Sequence, residues 1–190
     1  MISTHLPALQ VVIPLLSAPI CVILRRGYPA WLLSLFVSWL SFAISVSLLG
    51  QVLTDGPISY LLGGWAAPWG IEYKVDILSA FVLLLVSAIG AIIMLFAHQS
   101  VESEIEKDRI SLFYTMYLLT FAGLLGIAIT GDAFNLFVFL EISSLSTYVL
   151  VSLGKSKRAM TAAFRYLILG TVGATFYVIG VGLMLSLIHI

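Results

Sequence analysis

Six apolar stretches, each about as long as a bilayer is thick, take up most of this chain and constrain it more than any other feature. They cover roughly residues 6–24, 29–50, 75–97, 110–130, 133–153 and 159–184. Crossing the ~30 Å hydrocarbon layer takes about 20 mainly apolar residues in a helix. Lipid offers an unpaired backbone group no hydrogen-bond partner, so each stretch is predicted to be α-helical. The composition agrees, with 61% hydrophobic and 9% charged residues in 190, against roughly 25% charged in a soluble domain. The expected fold class is an all-α polytopic membrane bundle of about six helices. Pro7, Pro14 and Pro19 in the first stretch predict bends and not a break, because neighbouring helices can satisfy the freed backbone groups.

These stretches divide the chain into two N-terminal helices (1–51), a loop (52–74), a third helix with an acidic loop (75–109) and three further helices (110–184). The loop mixes Gly, Pro and Trp with alternating runs such as "IEYKV", the pattern of a small hairpin at the membrane surface. Trp65 and Trp69 are expected to anchor it at the interface. The closing "LSLIHI", residues 185–190, has no polar flank and reads as a non-native tail on a fragment of a longer gene. His189 therefore carries no functional weight.

Charge placement predicts orientation. Arg25, Arg26, Lys107, Arg109, Lys155, Lys157 and Arg158 follow the first, third and fifth helices, whereas Lys74 alone lies in the connections on the other side. The positive-inside rule makes the first set cytoplasmic and places the N-terminus and hairpin outside. The loop acids Glu102, Glu104, Glu106 and Asp108 weigh little in that rule and read as a solvated segment.

Several chemistries lack parts. With nine basic and nine acidic residues the net charge points to no anionic partner, and no basic cluster suits a nucleic acid. Cys21 is the single cysteine, and His5, His98 and His189 lie outside the helix centres. No metal site, nucleophile–base pair or cofactor site is expected. No phosphate-binding glycine loop is present, so the chain does not draw on ATP. Gly170, Gly173, Ala174, Gly180 and Gly182 read as packing positions that let helices approach closely.

The exception to this apolar pattern is "FNLFVFLEISSLSTYVL", residues 134–150, with Glu141 near its centre. A carboxylate at mid-membrane costs about 2.5–3.5 kcal/mol on insertion scales, and intramembrane ionisable residues are functional candidates for that reason. At about 100° per residue, Glu141, Ser144, Tyr148 and Ser152 fall on one stripe. Burial disfavours the charged form and a nearby cation favours it, so a carboxyl held between the two can pass a proton on. The opposing reading is structural: Glu141 pairs with Arg165, the one cation inside a predicted span, and the hydroxyls bond to backbone carbonyls. Arg165 could equally snorkel to the interface. Asp76 and Asp132 stand at the starts of helices three and five, where a carboxylate caps free N–H groups.

The segments "VDILSAF", "TGDAFNLFVFLEISSLSTYVLVSLG" and "AAFRYLILGTVGATFYVIGVGL" resemble the antiporter-like subunits shared by Mrp-type monovalent cation/proton antiporters and respiratory complex I. The D-type subunit of the Mrp antiporters is the best match, over roughly residues 71–184. The resemblance implies that the chain is the N-terminal part of a bundle of about fourteen helices, with two inverted five-helix repeats, working with other subunits in the cell's inner (plasma) membrane. It implies a proton relay at Glu141, tuned by a lysine two helices later, beyond this chain, and exchange of protons against a monovalent cation, sodium being the expected one. It gives the chain no catalytic site of its own. Ser144, Tyr148 and Arg165 would be accessory to the path, and Arg165 falls where relatives often carry Lys or another polar residue. Two further readings stand beside this one: a membrane subunit of a redox-driven complex I-like or hydrogenase-type assembly, and a structural protein with a buried Glu141–Arg165 pair.

Overall fold

A computed structural model describes residues 2–65 and 70–188. Six helices follow in order: α1 (Leu6–Leu24), α2 (Gly27–Asp55), α3 (Ile77–Glu104), α4 (Ile110–Ile129), α5 (Ala133–Ser152) and α6 (Lys157–Ile188). All six are long and apolar enough to cross a membrane. The helix α1 continues unbroken through Pro14 and Pro19. The helices α2 and α3 run past the apolar stretches that announce them, to Asp55 and Glu104, because hydropathy marks only the lipid-facing part of a helix.

The loop between α2 and α3 contains strands β1 (Ile58–Leu61) and β2 (Glu72–Val75), paired antiparallel with Ile58 opposite Val75 and Leu61 opposite Glu72. Alternation puts Tyr73 and Val75 inward, where both are buried. An isolated antiparallel bridge joins Tyr73 to Thr130, and the Gly131 N–H donates to the Glu72 carbonyl at 2.9 Å. The hairpin is thereby fastened to the α4–α5 turn. Trp65 is exposed, and Trp69 lies outside the described residues.

At the other end of the bundle, Gly27 at the start of α2 sits against Ile110 at the start of α4. The Lys155 ammonium donates to the Ser103 carbonyl at 2.7 Å. The connections after α1, α3 and α5 therefore share one end, and the seven basic residues named above gather there. Lys74 is at the hairpin end.

Lipid tails are as apolar as leucine, so helices in a membrane are held together by close packing and interhelical hydrogen bonds. Two apolar clusters fill the bundle. One, around Leu48, Leu83, Phe121 and Leu125, lies toward the hairpin, and the other, around Val37, Met94, Tyr114 and Leu118, lies toward the basic end. Ser34, Ser38, Ser41 and Ser45 are fully buried on one face of α2, at the spacing of a helical stripe. Gln10 Nε2 donates to Ser45 Oγ at 2.7 Å and Ser87 Oγ donates to the same atom at 2.9 Å, joining α1, α2 and α3. The Tyr117 hydroxyl donates to the Gly90 carbonyl at 3.1 Å and lies 3.0 Å from Ser38 Oγ, tying α4 to both α3 and α2. Each such bond contributes about 0.6 kcal/mol on average in a membrane.

The backbones of α4 and α5 approach closely at two glycines. A Cβ placed on Gly123 would come within 2.7 Å of Ser143 Cβ and 2.8 Å of the Ser143 nitrogen, and one on Gly126 would overlap the Phe139 ring. Both glycines are required for this approach, whereas a Cβ on Gly50 would meet nothing within 4 Å. Overpacking a core commonly costs about 1–3 kcal/mol. Gly126→Ala is therefore expected to lower the thermal unfolding midpoint of the detergent-solubilised full-length protein, and Gly50→Ala to leave it within error. Equal midpoints for the two variants would contradict this packing.

Candidate functional site: the seam between α5 and α6

The α5 helix is set by its first residues. Asp132 accepts hydrogen bonds from the Phe134 and Asn135 N–H groups, at 3.3 and 2.9 Å, and Asn135 Nδ2 donates to Thr130 Oγ1 at 2.9 Å. With Thr130 and Gly131 bonded to the hairpin, the start of α5 is fixed in height. Asp76 does the same for α3, its Oδ1 accepting from the Ser79 N–H at 2.8 Å.

Glu141 is the ninth of the twenty residues of α5, about 12 Å along the axis from its first residue at 1.5 Å per residue. Packing against α4 decides where it points. Phe139 and Ser143 face Gly126 and Gly123, and Glu141 is two residues from each, about 200° around the helix. It therefore turns away from α4 and toward α6. There it lines a hollow of about 350 Å³ with Phe137, Thr171, Ala174, Thr175, Val178 and Ile179. The Thr171 and Thr175 hydroxyls donate back to Leu167 and Thr171 carbonyls, each at 2.8 Å, which leaves their lone pairs free to accept. Among the described residues Glu141 has no hydrogen-bond or ion-pair partner, and no basic side chain lines its hollow.

A second hollow, of about 380 Å³, continues the seam toward the basic end. Tyr148, Ser152, Leu145, Met160, Phe164 and Leu167 are among its lining residues. Tyr148 is buried and meets Tyr166 edge-on, with ring centroids 4.9 Å apart. Its hydroxyl presses on Gly170, where a Cβ would overlap it. Glu141, Tyr148 and Ser152 thus share the seam as their spacing implies. Ser144 is half-buried and lines neither hollow. Ser143, Thr147 and Ser152 donate back within α5, to the Leu140, Ser143 and Val149 carbonyls, and Thr147 Oγ1 also lies 3.4 Å from Thr120 Oγ1 of α4.

The Glu141–Arg165 pair of the structural reading does not form. The α5 and α6 helices run antiparallel, and Glu141 stands level with Thr171 to Ile179, at least six residues and about 9 Å along α6 from Arg165. Arg165 also projects from a different face, beside Lys157, Arg158 and Thr161. The seam residues that sequence reasoning missed are Thr171, Thr175 and Tyr177. The Tyr177 ring stacks on Phe137 and its hydroxyl donates to the Ala133 carbonyl at 3.0 Å. The Thr171/Thr175 spacing was a signal, since residues four apart share a helix face. Among the described residues no group of three His, Cys, Asp or Glu side chains converges to hold a metal.

No family model matches the chain. The N-type subunit of NADH-quinone oxidoreductase from Desulforudis audaxviator is 38% identical over 97% of this chain and 37% of its own length. The D-type subunit of the Na(+)/H(+) antiporter of Bacillus subtilis is 32% identical over 93% of this chain and 35% of its own. A chain in the solved structure of the Mrp complex from Dietzia sp. superposes with a TM-score of 0.86 at 25% identity, over 98% of this chain and 35% of that one. This chain belongs to the antiporter-like membrane subunits. It is a multi-pass membrane protein that spans about a third of the length of these relatives and matches their N-terminal part. The last helix, α6, packs mainly on α5 and leaves the rest of its surface exposed.

The caps yield a pH prediction. The Ser79 backbone N–H holds the Asp76 carboxyl below the usual carboxylate range. A lowered folded-state value means that the cap contributes fully above the ordinary carboxyl value of about 4 and is lost as pH falls through the lowered one. Amide exchange at Ser79 is expected to accelerate in that acid window beyond the intrinsic rate change, and Asp76→Asn to abolish the step. An unchanged step in the variant would contradict the assignment.

Proposed function

We propose that Glu141 is the proton relay of a subunit in a multisubunit monovalent cation/proton antiporter, with sodium as the exchanged cation. The observation that carries this is an ionisable group at mid-helix, opening on a seam, with no counter-charge in the part of the protein described. Such a group is costly to insert, and a structural role would call for a partner beside it. In this reading a basic side chain from later helices approaches and retreats from Glu141, and the carboxyl releases and regains a proton in step. The two hollows and the Tyr148 and Ser152 hydroxyls would carry the proton toward the basic end. The similarity to a relative named for Na(+)/H(+) exchange supports the choice of cation. The gathering of seven basic residues at one end supports a cytoplasmic location for that end and, with it, an outer position for the hairpin at the plasma membrane.

A redox-driven reading has its own support, because the 38% identical relative is an NADH-quinone oxidoreductase subunit. Both readings use Glu141 in the same way and differ in the partner subunits that supply the driving force. In the full-length complex, Glu141→Gln is expected to abolish cation/proton exchange in everted vesicles while the complex still assembles. Exchange at the wild-type rate by an assembled variant would overturn the proposal. Exchange that requires an added electron donor would favour the redox assembly.

A further inference from the structure

Arg165, which does not pair with Glu141, belongs to a different cluster. Lys157, Arg158, Thr161, Ala162 and Arg165 line a groove of about 570 Å³ along the first two turns of α6. At 100° per residue this face is opposite the one that Ala163, Leu167 and Gly170 turn to α5. Among the described residues none of the three cations has a carboxylate within 4.0 Å, the two ion pairs being His98–Glu102 and Arg109–Glu106. Three like charges on one helix face repel one another, and an anion seated among them offsets that repulsion.

Depth identifies the anion. The uncharged run that starts at Tyr166 continues past Leu185, and its first 20 residues, at 1.5 Å each, already span about 30 Å, so α6 can cross the whole hydrocarbon layer without Arg165. Arg165 therefore stands at the hydrocarbon boundary, with Lys157 and Arg158 about two turns further out, at the level of the lipid phosphates. Guanidinium groups bind phosphate oxygens through paired N–H donors, and the Thr161 hydroxyl adds another donor. Basic clusters at this depth on a helix attract acidic lipid headgroups. We propose that this face of α6 binds the phosphodiester headgroup of an acidic phospholipid. The site is independent of the role of Glu141.

The test is native mass spectrometry of the full-length complex, extracted in mild detergent, with bound lipid quantified. Wild type is expected to retain phosphatidylglycerol or cardiolipin. Arg165→Gln, and separately Lys157→Gln with Arg158→Gln, should lower that occupancy about tenfold. Lys107→Gln with Arg109→Gln, at the same end but outside the groove, should retain it. Reloading delipidated complex with phosphatidylglycerol, cardiolipin or phosphatidylcholine separates a one-phosphate from a two-phosphate site. Equal uptake of phosphatidylcholine, equal retention by all variants, or an acidic side chain of another helix or subunit seated on these cations would overturn the proposal. Arg165→Lys keeps the charge and should keep most of the lipid, which separates a binding defect from misfolding.

Discussion

The contact of α4 with α5 at Gly123 and Gly126 governs the site. Without a hydrophobic drive between helices in lipid, position depends on how closely backbones can approach. Two absent side chains let α4 take Phe139 and Ser143 of α5 against its backbone. Helical geometry then leaves Glu141 no choice of direction. It must face away from the four-helix body and toward α6, the helix with most of its surface uncovered. The hairpin fixes the height of α5 and the glycines fix its rotation, and together they set the carboxyl at mid-helix on a seam.

Much of this was legible in the sequence, and the failures have physical causes. The six spans were readable because a bilayer imposes one length on all of them, and the hairpin because its alternating run stands between turn residues. The ends of α2 and α3 were not, since polar residues extend a helix without registering in hydropathy. The stripe of Glu141, Ser144, Tyr148 and Ser152 follows from the 3.6-residue period alone, and all of it but Ser144 lines the seam. Arg165 could not be placed that way, because facing α5 requires both a rotation and a register between two helices, and a single sequence supplies neither. The packing glycines were sought on α6, where Gly170 does receive Tyr148 but Gly173, Gly180 and Gly182 meet nothing within 4 Å. The decisive pair was on α4, where "GLLG" reads as ordinary apolar helix until its partner is known.

Two kinds of polar group coexist in this apolar bundle, and their surroundings separate them. The hydroxyls of Ser38, Ser45, Ser87 and Tyr117 bond across helices or back to their own helix carbonyls, and their work is structural. Glu141 and Arg165 are ionisable and differ from these, each without an ion-pair partner among the described residues. One opens on a seam between helices and the other on a basic face at the membrane boundary. On the two proposals, the same fold would carry a proton-handling group at its centre and an anion-binding surface at its edge, about 9 Å or more apart along α6.

The central claim, that Glu141 gains and loses a proton as the protein works, is tested most directly by infrared difference spectroscopy on the full-length complex in lipid. A sodium jump at constant pH should produce a carboxyl C=O band that shifts in D2O and disappears in Glu141→Gln. A band that persists unchanged in that variant, or no carboxyl signal from a transport-competent wild type, would contradict the account.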